Sequence, residues 1–172
     1  MKHLYLLRHA VTKSSHGLTD RERALTDEGR ADAKALGRVM AERGYAPDFI
    51  FCSPALRTRQ TLEHVLEAVP AVKTENPEAL YNASRGDLFH FIQSTPKNAG
   101  RVLVVAHNPG IHELAAMLGR EGSPMPLDHL MTGYRPGTLS VFDCPCESWA
   151  ELQPGVNDLT ALLTAPAYEA AA

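Results

Sequence analysis

The run Val102 to Ala106, VLVVA, constrains this chain more than any other stretch, because no polar residue interrupts it. A strand with one wet face alternates apolar and polar residues. An unbroken run belongs to a strand covered on both faces, as at the centre of a parallel sheet. The residues just downstream agree: Asn108-Pro109 opens a helix whose Ile111, Leu114, Ala115 and Leu118 share one face. HLYLL (3–7) and DFIFCSP (48–54) read as two further strands. Between them, Thr26-Asp27-Glu28 reads as a helix start, a capping hydroxyl followed by acids near the positive end of the dipole. Ala33, Leu36 and Met40 then share a face, and Gly44 is the stop. Ser53 is read as a cap and Pro54 as the first residue of a helix carrying Leu62, Val65, Leu66 and Val69. Residues 72–82 are expected to hold a short strand and loop, and 86–95 a helix. GTLSVFD (137–143) is expected to form a strand paired with SWAELQ (148–153), and the Ala-rich tail from about 164 to fray. The expected fold is α/β, a three-layer α/β/α sandwich with a mostly parallel central sheet, residues 1–172 forming one domain.

Bulk properties remove several function classes. A formal net charge of −3 gives no basic footprint for nucleic acid or an anionic membrane. No apolar stretch reaches the ~18 residues of a membrane span, and the N-terminus reads as a strand, not a signal peptide. Cys52, Cys144 and Cys146 are too few and odd in number for a disulfide framework, so a cytoplasmic protein is expected.

Ligands of open parallel sheets gather beyond the carboxyl ends of the strands. Three such ends here carry ionisable residues: Arg8-His9 after the first strand, Arg57 just after IFCSP, and His107 after VLVVA. Guanidinium forks and helix N-termini at one rim suit a phosphate. With no acid adjacent in sequence, the cluster is expected to be neutralised by an anionic ligand.

LLRHA, SPALRTRQT and VVAHNPG, in that order, resemble the histidine phosphatase superfamily, and most closely its short, lidless branch, the SixA-like phosphohistidine phosphatases. RALTDEG (23–29) is similar to the Arg-Pro-Leu-Thr stretch of that branch. The resemblance implies a phosphoglycerate mutase-like fold without a large lid, and it implies roles. His9 would be the nucleophile that becomes a transient phosphohistidine. Arg8, Arg57 and His107 would clamp the equatorial oxygens without a metal or other cofactor. Arg23 would be a secondary phosphate contact. Asn108 would either donate to phosphate or cap its helix, the cap being preferred. Two departures stand out. Ala10 replaces the glycine usual after the nucleophile, and no convincing general acid follows the third strand. Glu78 is the first candidate for that acid and Asp87 the second.

Each residue also has a plain reading. His107 alone suits a hydrogen-bonded core histidine, Arg57 is one of two nearby arginines, and His107 with His112 would make a poor metal pair. Asp20, Arg21 and Glu22 read as a charged loop bordering the pocket. The convergence of motifs favours a phosphatase acting on a phosphorylated substrate, foremost protein phosphohistidine. A small-molecule phosphatase and a non-catalytic phosphate-binding module are the alternatives, and a phosphoglycerate mutase lacks room for its insertions.

Overall fold

The computed structural model describes residues 1–166 and Tyr168. Six strands form one sheet: β1 (Lys2–Arg8), β2 (Phe49–Cys52), β3 (Thr74–Glu75), β4 (Arg101–Ala106), β5 (Leu139–Cys144) and β6 (Asp158–Leu163), ordered β3-β2-β4-β1-β5-β6. The pairs β1/β4, β2/β4 and β2/β3 are parallel, whereas β5 runs antiparallel to both β1 and β6. Among these strands, five therefore point one way and β5 is reversed.

The uninterrupted run in β4 is explained by its position between β2 and β1. Val102, Val104 and Ala106 face one core, Leu103 and Val105 the other, all buried. Helices α1 (Asp27–Glu42) and α2 (Leu56–Val65) cover the second face through Ala33, Leu36, Met40, Leu62 and Val65. Helices α3 (Arg85–Gln93) and α4 (Gly110–Leu118) cover the first through Leu88, Ile92, Ile111, Leu114 and Leu118. This is the expected three-layer sandwich. Thr26 caps α1 as its sequence predicts, accepting from the Gly29 N–H at 2.9 Å, and Gly44 ends that segment at φ +71. Among the described residues, no helix is long and apolar enough to cross a membrane.

Four expectations need correction. SWAELQ does not pair with β5. Its Trp149–Glu151 is a 3-10 turn that buries Trp149, whose indole N–H donates to Ala99 O at 2.8 Å, and β6 takes the place beside β5. A short helix, α5 (Asp128–Met131), lies in a stretch given no element from sequence. Ser53 is not a helix cap, since Ala55 occupies that position and α2 begins at Leu56. The tail is not frayed throughout: Tyr168 is buried in the second core, while residues 167 and 169–172 of that expectation lie outside the described residues.

Candidate active site

Parallel register puts three strand ends at one rim. Arg8 of β1 aligns with Ala106 of β4, and Cys52 of β2 with Val105. The chain leaves each strand still bonded to its neighbour: His9 N–H donates to Ala106 O at 3.2 Å and Ser53 N–H to Val105 O at 3.0 Å. His9 and His107 thereby come together with ring centroids 5.5 Å apart. Behind them, the Ala10 N–H donates to Thr61 Oγ1 at 3.0 Å, tying the loop after β1 to α2. Among the described residues, positive φ outside glycine occurs at Asn82 and Tyr168 only. Ala10 thus sits in backbone that any residue adopts, which removes the difficulty of its replacing glycine.

His9 is buried, and its Nδ1 lies 2.8 Å from Ala10 O. A carbonyl accepts only, so Nδ1 carries the proton and Nε2 keeps its lone pair. Among the described residues Nε2 has no partner, and it is not sealed off from solvent. Burial pushes the ring pKa down to about 4, with the nearby arginines adding to the depression. His107 goes down to about 3, again first through burial and then through Arg57. Both rings are neutral at pH 7. His107 Nε2 lies 2.6 Å from Ser53 Oγ, and that oxygen already faces the Ala55 N–H at 3.5 Å. A Ser53 hydroxyl donating to Nε2 leaves the ring proton on Nδ1, and one accepting there places it on Nε2; in either case Nδ1 is buried with no partner among the described residues.

The arginines are held from several directions. Arg8 Nη1 donates to Tyr134 O at 2.9 Å, and its Nε is buried without a partner among the described residues. Asn108 does not cap α4, whose cap position is Pro109. Instead its Nδ2 donates to the same Tyr134 carbonyl at 3.0 Å. Arg57, 4 % exposed, donates through Nη1 to Asp20 O at 2.7 Å and through Nη2 to Asp20 Oδ2 at 3.0 Å. This overturns the expectation that no acid neighbours the cluster. The loop after β1 folds back on itself, Lys13 N–H to Ala24 O at 2.9 Å and Thr26 N–H to Val11 O at 3.0 Å, and so delivers Asp20 to Arg57. Arg23 is tied into that loop through each of its three nitrogens, donating to Lys13 O, Thr12 Oγ1 and Asp20 Oδ1.

Tyr81 joins the site without any signal in the sequence. Its ring meets His107 edge-on at 5.7 Å, lies under the Arg57 guanidinium at 5.9 Å, and its hydroxyl donates to Asp20 Oδ2. The Tyr81 hydroxyl, with Arg23 and Arg57, holds the Asp20 pKa down to about 2. No spacing marks Tyr81, because it reaches the rim from a 3-10 turn (Glu78–Leu80) on a different layer. The two acid candidates depart from expectation. Glu78 accepts both arms of Arg21 at 2.7 and 2.6 Å, which lowers its pKa, the reverse of what a general acid uses. Asp87 accepts from the Ser84 hydroxyl at 2.8 Å and closes the capping box of α3. His112, the other half of the metal pair, bonds Leu130 O at 2.7 Å instead.

Comparison with known proteins agrees with this geometry. The histidine phosphatase superfamily (branch 1) matches residues 4–90, half of the chain. The chain belongs to the histidine phosphatase superfamily. Over 150 residues it is 29% identical to an uncharacterized protein of Mycobacterium tuberculosis, covering 87% of this chain and 93% of that one. A structure assigned as the phosphohistidine phosphatase SixA of Nakamurella multipartitia superposes with a TM-score of 0.82 at 29% identity, covering 95% of each chain. Its counterpart from Agrobacterium tumefaciens gives 0.79 at 28% identity, covering 95% of this chain and 97% of that one. Neighbours with this SixA assignment fit the rim described above, in which three strand ends present two histidines and two arginines.

Proposed function

We propose that this protein is a metal-independent phosphatase working through a covalent phosphohistidine on His9, with protein-borne phosphohistidine as its substrate. The observation that carries the reading is the state of His9: neutral, with Nδ1 held by Ala10 O and Nε2 free at the rim among the described residues. Nε2 attacks phosphorus in line. Arg8, Arg57 and His107 receive the equatorial oxygens, where transition-state charge gathers. Arg8 Nη2, which has no partner among the described residues and is not sealed off, is a donor open to such an oxygen. Asn108 supports Arg8 through their shared carbonyl acceptor, and Arg23 supports Asp20, so neither needs to touch the phosphate.

The choice of a protein substrate is supported by what lies between Tyr81 and β4. That segment forms α3, whose Leu88 and Ile92 are buried against the sheet, and so supplies no lid over the rim. The SixA assignments of the structural neighbours support the same substrate class.

Incubation with acetyl phosphate followed by an alkaline quench tests the reaction. Acid-labile, alkali-stable phosphate on His9 is the expected product, absent in His9→Gln. Turnover without such an adduct, or equal turnover by wild type and His9→Gln, overturns the mechanism. Hydrolysis of sugar phosphates in preference to a phosphohistidine protein overturns the substrate class.

A further inference from the structure

We propose that Asp20 and Tyr81 form a leaving-group pocket selective for phosphorylated imidazole, the Asp20 carboxylate accepting a hydrogen bond from the distal ring N–H of the substrate. This rests on His9 as nucleophile and assigns the feature the site otherwise lacks, a group that deals with the leaving atom.

The carboxylate is open for this role. An ionised carboxylate offers about four acceptor positions, and among the described residues three donors occupy Asp20: Arg57 Nη2, Arg23 Nη1 and the Tyr81 hydroxyl. One position remains, on a side chain that is 48% exposed. Tyr81 supplies the adjoining wall, its ring edge-on to His107 with centroids 5.7 Å apart. Arg21 lies over the same ring at 5.4 Å and is itself anchored to Glu78, so the wall is braced on its outer side. A planar heterocycle with an N–H donor fits a site that combines an aromatic face with a free carboxylate position.

The chemistry explains why such a site needs no general acid. An alkyl phosphate expels an alkoxide unless a proton is delivered to oxygen. A phosphorylated imidazole protonated at its distal nitrogen carries the required proton already. His9 Nε2 donates its pair to phosphorus, and the substrate P–N bond breaks with its electrons returning to the ring nitrogen. The cationic substrate ring leaves as neutral imidazole, its distal N–H still on Asp20. The His9 ring becomes the cation, with its Nδ1–H on Ala10 O. No proton changes atoms in this step. Water then attacks the phospho-His9, the P–N pair returns to Nε2, and the water proton passes to the released phosphate. By holding the distal N–H, Asp20 keeps the departing ring in its protonated, reactive form.

The test compares a phosphohistidine peptide with p-nitrophenyl phosphate, whose leaving group needs no proton and has no N–H. Wild type, Asp20→Asn and Tyr81→Leu are assayed as whole proteins, each first checked for unchanged thermal unfolding. Asp20→Asn is expected to lower kcat/KM for the peptide about tenfold or more beyond its effect on p-nitrophenyl phosphate. Tyr81→Leu should act in the same direction. The alkaline limb of the peptide profile should move to lower pH in Asp20→Asn, because the bound ring then loses its proton more readily. Equal change on both substrates overturns the inference and leaves Asp20 as a tether for Arg57. Wild type that hydrolyses p-nitrophenyl phosphate through phospho-His9 but leaves the peptide intact overturns both this inference and the protein substrate. Absence of the adduct instead removes the nucleophile on which both stand.

Discussion

His9 is kept neutral by burial more than by any single neighbour, and a pH dependence comes from that. Its pKa is pushed down to about 4, so acid must reach that range before the Nε2 lone pair is lost. For p-nitrophenyl phosphate, kcat/KM is therefore expected to hold level from pH 7 down to about 5 and to fall below it. A fall centred near 6.5, the ordinary histidine value, would contradict the buried, neutral ring. Ser53 belongs to the same account. Replacing it by alanine removes the hydroxyl 2.6 Å from His107 Nε2 and with it the bond that fixes the ring. Ser53→Ala should lower kcat by about tenfold with little change in KM, and Ser53→Thr should recover part of the loss. The sequence points to His9 and His107, because each ends an apolar strand. It cannot reveal Ser53 as the partner of His107, since a serine before a proline reads equally well as a helix cap. Asp20 and Tyr81 are hidden by distance: Arg57 is 37 positions from Asp20 and meets it only when the loop after β1 folds back.

Elements whose burial pattern is one-sided or unbroken are legible: β1, β2 and β4 from their apolar runs, α1 from its cap and stripe, and α4 from its i, i+3, i+4, i+7 positions. Those whose pairing depends on distant partners are not. β6 alternates only weakly and carries a bulge between Val141 and Phe142 on its partner, which blurs the period-two signal. Trp149 reads as a strand residue because an aromatic suits a strand, yet here it plugs a 3-10 turn into the core. Two contacts between elements carry predictions. A Cβ on Gly110 would meet Ala83 O at 2.0 Å, so Gly110→Ala forces α4 away from the loop before α3. Chemical denaturation should show a loss of about 1–3 kcal/mol. Thr61 joins α2 to the nucleophile loop through the Ala10 N–H and also donates to Arg57 O at 2.7 Å. Thr61→Val keeps the volume, strips the acceptor from a buried N–H, and is expected to cost about 1–3 kcal/mol.

At the scale of the molecule, two buried neutral histidines link folding to pH. His9 and His107 have folded-state pKa values of about 4 and about 3, below the ~6.5 of an unfolded chain. Between those limits the unfolded state binds more protons, so stability rises with pH and drops as acid is added from about 6.5 downward. The unfolding temperature should fall steeply from pH 7 to pH 4.5, and His9→Gln with His107→Asn should flatten that slope. An unchanged slope in the double variant would place the acid sensitivity elsewhere.

The sheet order also governs how the protein comes into being. β1 is made well before its neighbours β4 and β5, and β2 lies on the far side of β4. A nascent chain that has emerged as far as α2 already holds His9 and Arg57, which follow two strands, β1 and β2, that do not touch. Only when residues 101–144 leave the ribosome can those strands be joined and the rim close around its histidines. A truncated product thus carries His9 and Arg57 without the rim that brings them together.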